Sequence, residues 1–302
     1  MDEPVVASRA RQLLGLALIG VIVLAGMYLL SVRTALGQTW GDEAYLDRVA
    51  EGRGLTWIDK HVLKAIDIRI LAVLLLIVVA VGSVRRQWFA TVAVCAAYIG
   101  AMVSAEGLKL ALPRPILAPE LEALMGDKDA LNTYPSGHAT LATCLVLGLL
   151  ILVPARVRPP VAVVGAAFVA FVASGVVAAG WHRPSDAVGG IALALLWLTA
   201  AGALILRRLG IPSPVAPAMR LVPAVGAVIV VSAAAIVALS LLRGDDSKVP
   251  GGVSDMAFPL AELAIDVWAV VTVILVARVL RDVELAPRRA PEFGGPLAGL
   301  PR

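Results

Sequence analysis

The sequence predicts an all-α, polytopic membrane helix bundle with about eight spans. Of the 302 residues, 60% are hydrophobic and only 16% are charged. The mean hydropathy of +0.89 exceeds that of a soluble globular domain. A bilayer core about 30 Å thick needs about 20 apolar residues per helix. The segments that approach this length are 12–32, 68–84, 89–112, 138–153, 160–179, 187–206, 221–242 and 258–280, of which the fourth is the shortest.

The predicted spans divide into a core, an extension and a tail. Residues 1–210 form a six-span core, joined mostly by short turns apart from two longer external loops, 41–64 and 113–134. A proline-rich linker follows, and residues 211–285 contain two additional transmembrane helices. The tail, 286–302, is rich in proline and glycine, so we expect it to be disordered.

Arginines mark one side of the predicted membrane protein. They flank one set of span ends, whereas the loops on the other side mix both charge signs. These arginines are Arg9, Arg11, Arg85, Arg86, Arg156, Arg158, Arg207, Arg208, Arg220, Arg278, Arg281, Arg288 and Arg289. The positive-inside rule therefore predicts a plasma-membrane protein with both termini in the cytoplasm. The reactive residues described below then lie on the extracytoplasmic side.

Charge and cysteine content exclude several classes of function. The net charge of +4 is concentrated in short cytoplasmic turns, so it does not indicate nucleic-acid binding. Cys95 and Cys144 lie inside apolar spans, where each is expected to pack as a small hydrophobic side chain. The sequence contains no cluster of His, Asp or Glu that would complete a metal shell. We therefore expect no metal and no cofactor, and the bilayer itself is the partner that composition predicts.

The run Pro135-Ser136-Gly137-His138 directly precedes the fourth span. Ser136 is a natural N-cap, and Gly137 lets a ligand approach the backbone. The unpaired N–H groups of a first helical turn attract anions. His138 lies in that turn, where it can give a proton to a departing oxygen.

A second histidine pattern begins at His182 and ends at Asp186, where the sixth span starts. A carboxylate that accepts the Nδ1–H of His182 would fix its tautomer and leave Nε2 as a nucleophile. Upstream, Lys109 and Arg114 supply the cations that transferring phosphoryl groups need. Together these residues predict a site that binds a phosphate, attacks it and protonates the leaving group.

Taken singly, each of these features has a simpler explanation. A Pro-Ser-Gly-His run can be only a turn and an N-cap, and a His and an Asp four residues apart occur by chance. Lys109 and Arg114 could be interfacial residues whose charged ends reach water. The third histidine, His61, lies between Lys60 and Lys64, and we expect it to be solvated. Together, on one membrane side and at consecutive span boundaries, the motifs indicate a site.

Within residues 89–206, these motifs resemble the type 2 phosphatidic acid phosphatase superfamily, whose lipid-phosphatase members share a six-helix core. The family pattern is a Lys followed by Arg-Pro, then Pro-Ser-Gly-His, then Ser-Arg with a later His-x-x-x-Asp. The resemblance implies metal-independent phosphomonoester hydrolysis through a phosphohistidine. It further implies that His182 is the nucleophile, His138 the general acid and Asp186 the partner of His182. Phosphate would be bound by Lys109, Arg114, Ser136 and Gly137.

The sequence departs from the family pattern at two points. Four residues separate Lys109 from Arg114, where the pattern has six, which puts the role of Lys109 in question. The Arg expected six residues before the nucleophile is replaced by Val176. Arg183, which adjoins His182, is the candidate to supply the missing phosphate contact. The alternative is that Arg183 anchors the chain at the headgroup surface.

The sequence thus predicts a membrane lipid phosphatase that acts at the extracytoplasmic face. Polyprenyl phosphates or pyrophosphates, phosphatidic acid and phosphatidylglycerophosphate are the expected substrate types. The alternatives are a lipid phosphotransferase of the same superfamily and a catalytically silent lipid-binding or transport protein. Glu106, Glu262 and Asp266 are acids placed within spans. For Glu262 and Asp266 we expect a pair that docks the extra helices, with a proton or lipid pathway as the alternative.

Overall fold

The computed structural model of the chain describes residues 3–50, 68–121, 132–213 and 256–286. Within these ranges the chain is almost entirely helical, with one short antiparallel pair of strands that joins residues 210–212 to 283–285. The α-helices are α1 (Glu3–Met27), α2 (Ala35–Ala50), α3 (Ile68–Val84), α4 (Trp88–Ala111), α5 (Gly137–Leu152), α6 (Arg158–Ala178), α7 (Pro184–Leu209) and α8 (Ala257–Leu280). A π-helical turn, Tyr28–Val32, extends α1, and a 3-10 turn, Ala155–Val157, precedes α6.

The helices confirm the predicted all-α membrane fold. Seven of the eight predicted spans coincide with helices, and the remaining one, 221–242, lies outside the described residues. In the described part of the chain, five helical stretches are long and apolar enough to cross a bilayer: Val5–Val32, Trp88–Ala111, Ala155–Ala178, Pro184–Leu209 and Ala257–Leu280. The chain is therefore a multi-pass membrane protein. Leucine, isoleucine and valine side chains exposed on α1 and α4 provide apolar surface for lipid.

Helix α5 lies at the centre of the bundle. It packs against α3, α4, α6, α7 and α8, and 14 of its 16 residues are buried. A helix enclosed on every side needs apolar residues around its whole circumference. This explains why the fourth predicted span is strongly hydrophobic and yet shorter than its neighbours.

Helix α2 replaces the first part of the predicted external loop 41–64. Its sequence is charged and lacks a long apolar run, so a loop was predicted from residue 41 onward. In the structure, however, Gln38, Asp42 and Asp47 are almost fully buried. Asp47 accepts a hydrogen bond of 3.0 Å from the backbone N–H of Phe258, which ties α2 to the start of α8. These three polar residues of α2 therefore face other parts of the protein.

Helix α8 packs against α6 and shares the common hydrophobic core. Midway along it, Asp266 accepts a hydrogen bond of 2.7 Å from Ser174 of α6. Beyond its end, Asp282 pairs with Arg9 of α1. The fully buried Arg158 donates to the carbonyl oxygens of Leu150, at 2.9 Å, and of Val283, at 2.6 Å. A buried guanidinium must find hydrogen-bond acceptors. Arg158 therefore joins the start of α6 to the end of α5 and to the segment after α8.

Candidate active site

The motif residues come together at one end of the bundle. This end is formed by the N-terminal ends of α5 and α7, the C-terminal end of α4 and part of α2. The arginine-rich end lies at the other end of α5, where Arg158 binds the carbonyl of Leu150. Sixteen helical residues separate the two ends of α5 by about 24 Å. The motif residues and the arginine-rich turns therefore lie at opposite ends of α5.

The segment before α5 is joined directly to α7. The backbone N–H of Ser136 donates to the carbonyl of Asp186 at 2.8 Å. The side chain of Ser136 caps α5, accepting from the N–H of Ala139 at 3.4 Å. The segment before α5 can approach α7 this closely because α7 has glycines at 189 and 190. A Cβ on Gly189 would lie 2.5 Å from the Tyr134 ring, and a Cβ on Gly190 would lie 2.5 Å from the carbonyl oxygen of Ser136. The N-terminal ends of α5 and α7 are therefore held side by side.

The two motif histidines face each other across this junction. The ring centroids of His138 and His182 are 6.5 Å apart, and the rings meet edge to face. The ring of Trp181 lies 5.4 Å from that of His138 and limits its movement. His182 is only 9% exposed, whereas His138 is half-buried. A tetrahedral group placed between the rings would have one imidazole on each side.

Asp186 is held by several donors beside His182. Its Oδ2 accepts from the hydroxyl of Thr133 at 2.5 Å and from the backbone N–H of Arg183 at 3.1 Å. Nδ1 of His182 lies 3.4 Å from the same oxygen, beyond the usual hydrogen-bond range. Nδ1 has no closer partner in the described chain. Asp186 is therefore held beside His182, with its Oδ2 facing Nδ1 of that ring.

Lys109 reaches the start of α5 despite its shortened spacing from Arg114. A Cβ added to Gly137 would lie 3.8 Å from Nζ of Lys109 and 3.7 Å from Oε1 of Glu106. These two side chains form an ion pair of 2.7 Å. The buried Gly137 is therefore bordered by a lysine and a glutamate. Glu106, to which the sequence gave no role, has this position because it precedes Lys109 by one helical turn.

Arg114 and Arg183 both contact Asp42 on α2. Oδ1 of Asp42 accepts from Nη2 of Arg114 at 3.2 Å and from Nε of Arg183 at 2.7 Å. The Asp42 side chain is 0% exposed and the two arginine side chains are 4% and 5% exposed. Arg183 is thus buried within the protein at this end. That placement disfavours the headgroup anchor that the sequence left open.

Val176 supplies no cation, but its carbonyl shapes the turn that carries His182. Its carbonyl accepts from the backbone N–H groups of Trp181, at 3.0 Å, and of His182, at 3.2 Å. Gly180 takes a φ of 72° in this turn, a conformation that glycine adopts without strain. The side chain of Val176 packs in the hydrophobic core. At position 176 the side chain therefore belongs to the core, while the backbone carbonyl supports the turn that carries His182.

Sequence reasoning missed Asp42 and Thr133. Neither belongs to a motif, and Asp42 lies 72 residues before Arg114 in the chain. The available signal was an acid that follows Gln38 by four residues, after the end of the first predicted span at residue 32. A helix over residues 35–50 places Gln38 and Asp42 on the same face. The sequence predicted a loop from residue 41, so this relation was not expected.

A known protein family matches the part of the chain that carries these motifs. Residues 86–209 match the family described as the PAP2 superfamily, which confirms the resemblance inferred from the motifs. The matched region spans α4 to α7 and includes Lys109, Arg114, both histidines and Asp186. No curated protein and no solved structure gave a match to the chain.

Proposed function

From the PAP2 superfamily domain that this chain carries over residues 86–209, we infer that the protein is a membrane phosphatase that hydrolyses a phosphomonoester or pyrophosphate of a lipid. The observation that carries this proposal is the pair of facing imidazoles, 6.5 Å apart, with a buried carboxylate beside one of them. That asymmetry assigns His182 as the nucleophile and His138 as the general acid.

In the first half of the reaction, Nε2 of His182 attacks the phosphorus atom. The bond from phosphorus to the lipid oxygen breaks, and His138 gives its proton to that oxygen. Attack leaves a positive charge on the phosphorylated imidazole, which Asp186 stabilises. In the second half, water attacks the phosphohistidine while His138 takes the proton. Phosphate leaves, and both histidines return to their starting protonation states.

Phosphate binding is assigned to the groups around the rings. Gly137 allows the oxygens to approach the first turn of α5, where Ser136 caps the helix. Lys109 lies beside Gly137, and Arg114 and Arg183 lie at the same end of the bundle. Arginines suit this role because a planar guanidinium can donate to two phosphate oxygens at once. Arg183 supplies the contact of the family-pattern arginine, whose position Val176 occupies in this chain.

The substrate is a lipid phosphate at the extracytoplasmic leaflet of the plasma membrane, with both termini in the cytoplasm. Support comes from the separation of the site from the arginine-rich end, since arginine-rich turns remain in the cytoplasm. Polyprenyl phosphates or pyrophosphates, phosphatidic acid and phosphatidylglycerophosphate are the substrate classes to test first. All carry a terminal phosphate on a membrane lipid, and the site lies at the end of an apolar bundle.

The decisive experiment measures inorganic phosphate released by purified protein from a panel of these lipids in detergent micelles. Release without an added acceptor supports the hydrolase. Release that requires a glycolipid or lipid acceptor indicates a phosphotransferase of the same superfamily. A lack of release in both conditions, with the protein folded, indicates a lipid-binding or transport protein. His182→Ala is the matched negative control for contaminating phosphatases.

A further inference from the structure

We propose that Asp42 is a positioning residue for phosphoryl transfer: its buried carboxylate holds Arg114 and Arg183 and sets the net charge of the site. This inference rests on the proposed function, because it assumes that both arginines bind phosphate. Asp42 lies outside the 86–209 region that matches the PAP2 superfamily. It is contributed by α2, which no motif predicted.

The geometry is that of one carboxylate oxygen shared by two guanidinium groups. Oδ1 of Asp42 lies 2.7 Å from Nε of Arg183 and 3.2 Å from Nη2 of Arg114. All three side chains are at least nine-tenths buried. A carboxylate removed from water is stable only when it is paired and hydrogen-bonded. The two arginines therefore account for the burial of Asp42.

The arginines need Asp42 in return. Two adjacent guanidinium groups repel each other, and at this end of the bundle little water screens them. A carboxylate between them lowers the combined charge from +2 to +1 and fixes one nitrogen of each. A guanidinium has five N–H donors, so a phosphate can still be held by others. Preorganised donors stabilise a transition state without having to reorient.

The placement of Asp42 is itself fixed by α2. One turn earlier, Gln38 donates to the carbonyl of Pro115 at 2.6 Å and accepts from the N–H of Leu117 at 3.0 Å. These bonds hold the backbone on the C-terminal side of Arg114. Helix α2 thus contacts the Arg114 segment in two ways: Gln38 binds the backbone of that segment, and Asp42 binds the guanidinium of Arg114. A purely packing role for α2 would not need a carboxylate at this position.

Asp47 on the same helix is a matched control. It is also 0% exposed, but it accepts from the backbone of Phe258 and so joins α2 to α8. Asp47→Asn should lower the midpoint of thermal unfolding and leave kcat/KM of the folded protein unchanged. Asp42→Asn keeps the shape of the side chain and one acceptor oxygen while removing the charge. The two variants therefore separate positioning from stability.

The test measures both turnover and the binding of orthovanadate. Orthovanadate is a phosphate analogue, so its binding can be measured without a lipid substrate. Asp42→Asn should lower kcat/KM by about 10²-fold, the cost of a misplaced catalytic group. It should also weaken orthovanadate binding, measured as the shift in the unfolding midpoint, whereas Asp47→Asn should not. If Asp42 acts through the arginines, Asp42→Asn should cost much less in an Arg183→Ala background than in wild type.

Each contrary result has a distinct meaning. Wild-type activity or orthovanadate binding in folded Asp42→Asn would overturn the proposal, and so would fully additive losses in the double variant. Failure of Asp42→Asn to fold, when Asp47→Asn folds, would assign Asp42 a structural role and would also overturn it. Failure of the wild type to release phosphate from any lipid would instead count against the proposed function. Orthovanadate binding then still decides the role of Asp42.

Discussion

Replacing Asp186 by Asn should remove most of the catalytic rate while leaving the fold intact. The Asn oxygen can occupy the position of Oδ2 and keep the bonds from Thr133 and from the N–H of Arg183. The amide nitrogen would then face the hydroxyl of Ser185, which lies 3.3 Å from Oδ1 and can accept. Only the negative charge beside His182 is lost. The midpoint of thermal unfolding should therefore change little.

The size of the rate loss follows from the distance between the two side chains. Nδ1 of His182 lies 3.4 Å from Oδ2 of Asp186. At an effective dielectric constant of about 20, a unit charge pair at that distance interacts by about 5 kcal/mol. This interaction is made when attack on phosphorus places positive charge on the imidazole. Since about 1.4 kcal/mol corresponds to a factor of ten in rate, kcat should fall by between about 10³ and 10⁴.

Phosphate release under saturating lipid phosphate measures this loss directly. Thermal unfolding of the same sample in detergent checks that the variant is folded, and Ser185→Ala serves as a control that keeps the carboxylate. A folded Asp186→Asn variant with kcat within tenfold of wild type would refute the assignment of Asp186 as the partner of His182. An equal loss in Ser185→Ala would show that local packing, and not the charge, controls the rate.

Four further predictions address the mechanism and the assembly of the bundle. His182→Ala should abolish turnover, whereas His138→Ala should accumulate an acid-labile phosphoenzyme; full activity in His182→Ala would remove the phosphohistidine. EDTA should leave activity intact and orthovanadate should inhibit it, so strict Mg²⁺ dependence of the purified protein would contradict the proposed chemistry. Asp266→Asn should lower the unfolding midpoint more than the specific activity, because its carboxylate binds a serine of α6; lost activity at unchanged stability would favour a pathway role. Partial burial raises the pKa of Asp282, but the hydrogen bond and charge of Arg9 outweigh it and hold that pKa below its ordinary value. The Arg9–Asp282 pair should therefore stabilise the folded protein fully above about pH 4. This contribution should be lost as the pH falls through the lower folded-state pKa of Asp282. Thermal unfolding in acid should show no such loss in Asp282→Asn.

Much of the fold was predictable because lipid imposes a simple length requirement. Helix α3 has the predicted bounds, 68–84, and α8 agrees within one residue. The motif residues lie near one another because each stands at the end of a span, where the chain reverses direction. His138 and His182 meet because α5 and α7 both begin at the same end of the bundle. The order of the spans thus accounts for the proximity of the two histidines, and their catalytic roles stay a prediction.

The unpredicted part of the site depends on polar contacts between distant segments. Helix α2 has no apolar stripe, so hydropathy does not distinguish it from a solvated loop. Asp42 and Arg183 are 141 residues apart in the chain, and no local rule connects them. The proximity of Glu106 to Gly137 follows from the packing of α4 on α5, which a single sequence does not specify. Local sequence patterns do not show which charged residues from distant segments pair in the folded protein.

The enclosure of α5 has a consequence for how the membrane acts on this protein. At about 24 Å, α5 is shorter than a hydrocarbon core of about 30 Å, but it is surrounded by other helices. Hydrophobic mismatch is therefore borne by the longer helices around it, which tilt when bilayer thickness changes. Host lipids of different acyl length should alter how substrate reaches the protein more than the spacing of its two imidazoles. In reconstituted vesicles, acyl length should thus change KM more than kcat.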